Sequence, residues 1–181
     1  MQERTIHNPV TGETFTFLET ATETAGERSV GEMDCAPGGG VPVHRHADHE
    51  EFIEVLEGEI EVTMNGNPRR LQAGERVVIG RGVVHTWRNP SSTQRLKFRG
   101  GMTPGHPGFE RFLRVFFGLG RDGQLKSSGM PRHFSDLALL AYWDPSIVAG
   151  SLRLLAPFMR WSARRSRSRG RDVELLQRYG A

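Results

Sequence analysis

Between Thr14 and Leu18 apolar and polar residues alternate, which puts Phe15 and Phe17 on one face of an extended segment. The same period of two returns at 57–64, where Ile60, Val62 and Met64 oppose Glu57, Glu59, Glu61 and Thr63. Asn65-Gly66 follows, a pair that favours the positive φ angles of a tight hairpin turn. Leu96 and Phe98 alternate with Arg95, Lys97 and Arg99 in another strand. Many short strands punctuated by Gly, Pro and Asn predict an all-β sandwich or barrel over about residues 10–104.

Near Pro107 the period lengthens. Phe109, Phe112, Leu113, Phe116 and Phe117 recur at helical spacing, with Gly118 and Gly120 expected to end the helix. A Gly/Ser loop is expected over 120–129. A short helix with Phe134, Leu137, Ala138 and Ala141 comes next, capped by Ser135 or His133. A third carries Leu152, Leu155, Ala156 and Met159 beside Leu154, Phe158 and Trp161. It is apolar on more than half its circumference and is expected to be covered on more than one side. A last periodic piece spans 173–179. The C-terminal part, 107–180, therefore reads as a helical extension. Its apolar faces, and the open edges of a small barrel, lead to the expectation of a homodimer.

The 181 residues suffice for one domain with an appendage. The apolar runs fall far short of the ~18 residues needed to cross a bilayer, so no membrane is expected as a partner. The first twenty residues lack the basic start and apolar stretch of a secretory signal. The single cysteine, Cys35, fits a reducing compartment. A cytoplasmic protein is expected. Net charge is +3, spread unevenly: residues 1–100 hold 11 Arg/Lys against 15 Asp/Glu, and residues 101–181 hold 13 against 6. Six arginines fall between Arg160 and Arg171. With Trp161 the one aromatic among them and no nucleic-acid-binding motif nearby, a solvated helix end is the expected reading, not a nucleic-acid site.

Four of the seven histidines lie within 42 residues: His44, His46, His49 and His85. On an extended strand residues two apart point the same way, so the imidazoles of His44 and His46 can share a metal. Glu51, at the start of the next strand, can return its carboxylate alongside after a turn at 47–49. Its spacing is better than that of Glu50. His49 is read as a turn residue, with a role as a supporting or alternative ligand left open. His85 follows Gly80 and Gly82 at the start of a strand containing Trp87. Three imidazoles and a carboxylate suit one divalent transition metal: Fe, Mn, Zn, Ni, Cu or Co. His7, His106 and His133 are expected at the surface.

These residues resemble the cupin superfamily. Its first motif, G-x5-H-x-H-x4-E-x6-G, is met by Gly38, His44, His46, Glu51 and Gly58. Its second, G-x5-P-x-G-x2-H-x3-N, is met by Gly74, Gly82, His85 and Asn89, with Gly80 in place of the proline. The resemblance implies a jelly-roll β-barrel holding a metal on His44, His46, Glu51 and His85. Ile53, Val55 and Trp87 share the ligands' parity and would meet Met64 and Phe98 across the barrel, so these five are expected to line a pocket for a small, partly apolar ligand. Cys35 has no neighbour that would activate it as a nucleophile. Three functions fit: a dioxygenase-like oxidoreductase with Glu51 as proton acceptor once released from the metal, a metal-dependent isomerase, epimerase or decarboxylase, and a non-catalytic small-molecule binding or sensor protein.

Overall fold

A computed structural model describes residues 3–147 and 152–180. The chain divides into two compact units: residues 12–107, and residues 1–11 together with 108–181.

The first unit holds the strands β2 (Glu13–Glu19), β3 (Ser29–Cys35), β4 (Glu50–Glu57), β5 (Glu59–Met64), β6 (Asn67–Gln72), β7 (Arg76–Ile79), β8 (His85–Arg88) and β9 (Leu96–Thr103). Hydrogen-bonded neighbours run β2-β3-β9-β4-β7 in one sheet and β6-β5-β8 in the other, and the paired strands are antiparallel. Alternation in the chain becomes alternation in burial. Along β3 every second residue from Ser29 to Cys35 is buried, and on β4 Ile53 and Val55 are buried while Glu54 is not. Register brings the inward residues together, with Met33 and Val55 both opposite Phe98, and Val62 opposite Trp87. The Trp87 and Phe98 rings meet edge to face at 4.9 Å. The β5–β6 turn takes the form expected of Asn-Gly, with φ of 48° at Asn65 and 83° at Gly66.

The second unit holds β1 (Thr5–Asn8) and the helices α1 (Pro107–Arg121, its first residue in the other unit), α2 (Phe134–Trp143), α3 (Leu152–Ser168) and α4 (Arg171–Tyr179). Val115, Leu119, Leu139, Leu140, Met159, Ala163 and Leu175 build its core. The ion pair of Asp136 on α2 with Arg171 on α4 closes it, Nε and Nη2 of the guanidinium each donating to a carboxylate oxygen at 3.0 Å.

Three expectations are corrected in this unit. Gly118 and Gly120 do not end α1, which continues through them to Arg121, so the 120–129 loop starts later. They are glycines because their neighbours come too close for a side chain. A Cβ at Gly118 would lie 2.3 Å from the Tyr179 ring, and one at Gly120 2.2 Å from Asn8. Second, of the two expected caps His133 takes the N-cap position of α2, without a side-chain hydrogen bond, and Ser135 lies inside the helix. Third, α3 is not covered on more than one side. Met159 and Ala163 are buried, whereas Leu154, Leu155, Phe158 and Trp161 are exposed.

Candidate metal centre

The segment between β3 and β4 does not form the regular strand that the His-x-His spacing suggested. His44 instead makes an isolated bridge to His85, its N–H donating to the His85 carbonyl at 2.8 Å and its carbonyl accepting from the His85 N–H at 2.9 Å. The His46 carbonyl accepts from the Gly82 N–H at 2.7 Å, tying the histidine loop to the turn before β8. Glu51 arrives from β4, where it pairs with Ile79 and Met102. Ring centroids lie 5.0 Å apart for His44 and His46, 4.1 Å for His44 and His85, and 5.4 Å for His46 and His85. One donor atom from each of His44, His46, Glu51 and His85 lies within 4.8 Å of every other. Glu50, exposed on the opposite face of β4, takes no part.

Backbone carbonyls orient two of the rings. Nδ1 of His44 donates to the Pro42 carbonyl and Nδ1 of His85 to the Val83 carbonyl, each at 2.9 Å. In both rings this leaves Nε2 for another partner, the role such outer hydrogen bonds play for metal-binding histidines. His85 Nε2 lies 2.9 Å from Glu51 Oε2. His46 Nε2 is 3.4 Å from the same oxygen, buried, and makes no hydrogen bond among the described residues. A buried nitrogen aimed at a carboxylate without bonding it is what a cation bound between them would satisfy, so the donor set fits a metal.

Electrostatics hold the cluster ready. Burial pushes the Glu51 carboxyl up, but the flanking imidazoles of His46 and His85 outweigh it and bring the pKa to about 2. Burial lowers the His85 pKa, and the hydrogen bond to Glu51 with its charge more than reverses this, so His85 is raised. His44 is lowered, first by burial and then by its charged neighbour His85. Thus Glu51 is ionised at neutral pH, while proton binding is weakened at His44 and strengthened at His85.

The remaining expectations divide. Ile53, Val55, Trp87 and Phe98 are buried inside the barrel and Met64 is half-buried, its register partner being His85 itself. Cys35 is fully buried, and burial, aided by Glu13, pushes its thiol up to about 12, so it is no nucleophile. Asn89 is structural: its side-chain amide donates to the carbonyls of Ala36 and Gln94 and accepts from the Ser91 N–H. His106 departs from its expected place at the surface. It is half-buried, and its ring stacks on His49 at 4.3 Å, with His49 in turn 6.4 Å from His46. No spacing signal links residues 49 and 106; the pairing follows from the ends of β4 and β9 lying side by side, Glu50 opposite Thr103.

Two antiparallel sheets with three histidines and a glutamate gathered inside define a cupin jelly roll, and comparison agrees. Residues 31–98 match the family model of the cupin domain, so the barrel unit that contains them is a cupin domain. It is 34% identical over 92 residues to quercetin 2,3-dioxygenase of Bacillus subtilis, covering 47% of this chain and 27% of that protein. It is 30% identical over 78 residues to the tetracenomycin polyketide synthase protein TcmJ of Streptomyces glaucescens, covering 43% and 52%. An RmlC-like cupin from Shewanella frigidimarina superposes with a TM-score of 0.50 at 22% identity, covering 57% of this chain and 86% of that one. The chain spans less than two thirds of the length of the curated relatives it matches.

Proposed function

We propose that His44, His46, Glu51 and His85 hold one divalent transition metal, and that the loaded protein is a dioxygenase-like oxidoreductase acting on a small, partly apolar substrate bearing adjacent oxygens. The observation that carries this reading is the convergence of the four donor atoms within 4.8 Å, two of the rings being already oriented by backbone carbonyls. When bound, the metal supplies Lewis acidity toward a substrate oxygen and, if redox-active, a path for electrons to dioxygen.

The chain's own residues supply the rest. Glu51, on release from the metal, accepts the proton of a substrate hydroxyl. Ile53, Val55, Trp87 and Phe98, buried, and Met64, half-buried, would give the substrate apolar and aromatic surroundings. The oxidative reading is favoured over isomerisation or decarboxylation, and a flavonol-like substrate is suggested, by the likeness to a quercetin dioxygenase.

Oxygen uptake by protein loaded in turn with Fe, Mn, Ni and Cu, across flavonols, catechols, diketones and thiols, tests the activity. Uptake with a flavonol or catechol that His85→Ala abolishes is the expected result. Silence with every metal removes the oxidative reading, and less than a tenth of a metal equivalent after reconstitution removes the site itself. The reading includes a homodimer, supported by β6 and β7, each of which ends its sheet without a further strand among the described residues. Light scattering at the 20.3 kDa of a single chain would overturn that part.

A further inference from the structure

We propose that α3 is a peripheral docking helix for an anionic lipid surface. Its exposed apolar stripe consists of Leu154, Leu155, Phe158 and Trp161, with relative exposures of 85%, 46%, 53% and 56%. These residues recur at i, i+1, i+4 and i+7, so they share one face, while Met159, Ala163 and Ser166 are buried on another. The stripe is ordered within itself. Phe158 stacks on Trp161 at 5.5 Å and packs against Phe134 of α2 at 5.1 Å, and the Arg165 guanidinium lies over the Trp161 ring at 5.8 Å.

Charge selects the occupant. Arg160 and Arg164 are exposed on one flank of the stripe, and Arg165 continues it past Trp161, while α3 contains no acidic residue. A second copy of the chain would set two such basic rims against each other, and like charges brought together oppose docking. Nucleic acid would use the arginines and the aromatic rings, but Leu154 and Leu155 offer bases no π-face. A surface of anionic headgroups over acyl chains satisfies both halves: leucine, phenylalanine and tryptophan enter the headgroup–acyl boundary and the arginines meet the phosphates. At 17 residues α3 is about 25 Å long, and no described helix is long and apolar enough to cross a bilayer, so it would lie along the surface. The short apolar runs that speak against spanning do not bear on this mode of binding.

The protein carries its own reporter. Of its three tryptophans, Trp87 and Trp143 are buried and Trp161 is exposed. Full-length protein is titrated with vesicles of phosphatidylcholine alone and of phosphatidylcholine with phosphatidylglycerol. The expected result is a blue shift of tryptophan emission with the anionic vesicles, weakened by salt, and quenching of that emission by brominated acyl chains. Arg160→Gln and Arg164→Gln should each weaken binding about fivefold. Leu154→Glu with Phe158→Glu, both at exposed positions, should abolish it while circular dichroism stays unchanged. The proposal is overturned if anionic vesicles give no shift, or if the double variant still binds. It is also overturned if Leu154→Glu splits a dimer seen by light scattering, which would make a second copy the occupant. Binding of a single-stranded oligonucleotide that displaces the vesicles from Trp161 would point to nucleic acid instead.

Discussion

His85 Nε2 lies 2.9 Å from Glu51 Oε2, within hydrogen-bond distance, and its Nδ1 donates to the Val83 carbonyl. A metal taking His85 Nε2 must displace any proton held there, and the pKa of His85 is raised above its ordinary 6.5. Metal loading therefore releases protons, and apparent affinity climbs as pH rises through and beyond 6.5. Calorimetry in buffers of different ionisation enthalpy measures the release; a titration heat independent of buffer would contradict it. Glu51→Gln keeps the shape of the side chain and removes its charge. Oxygen uptake should fall about 100-fold or more, the scale of a lost proton acceptor, and a variant with unaltered uptake at full metal occupancy would remove Glu51 from that role. Cys35 makes a contrasting case. Its buried thiol, at about 12, should resist a disulfide reagent at neutral pH and react fully once the chain is unfolded.

Among the elements, glycines separate backbone need from packing need. Gly82 adopts a φ of 74° in the turn before β8, so Gly82→Ala should cost about 1–2 kcal/mol. A Cβ at Gly80 would meet nothing closer than Val83 at 3.9 Å, so Gly80→Ala should shift the denaturant midpoint by little. The residue that departs from the family motif is thus the tolerant one of the pair. In α1 the sign reverses for another reason. An alanine inside a helix ordinarily gains about 1 kcal/mol over glycine, but at Gly118 the methyl would enter the Tyr179 ring. Gly118→Ala should destabilise by about 1–3 kcal/mol; a gain in melting temperature would show that α4 moves aside freely.

For the molecule as a whole, the Asp136–Arg171 pair joins residues 35 apart in the chain. Asp136 is 1% exposed and Arg171 about one third, so the two partners are unequal. Arg171→Met strands a buried carboxylate and should cost about 3 kcal/mol, whereas Asp136→Asn leaves an arginine that water still reaches and should cost less. Urea unfolding of both variants tests the order; equal losses would mean that Asp136 is hydrated when unpaired.

Much of this was legible beforehand, because it is local. Period-two alternation from Phe15 to Phe98 follows from side chains pointing to opposite faces of a strand, and the Asn65-Gly66 turn follows from backbone sterics. The spacing of His44, His46 and Glu51 reflects a chain that extends and turns within a few residues, and His85 was legible through the second motif of the resemblance. What only the tertiary structure decided depends on contacts distant in sequence. The bridge between His44 and His85 brought their two rings to within 4.1 Å of each other. The meeting of β4 and β9 brought His106 onto His49. Asn8 and Tyr179 made glycines at 118 and 120 part of a helix rather than its end. The apolar pattern of α3 said that its face should be covered, but periodicity records only that a surface is apolar. Which of two apolar faces finds a partner within the chain depends on what else packs there, and here that was the side bearing Met159 and Ala163.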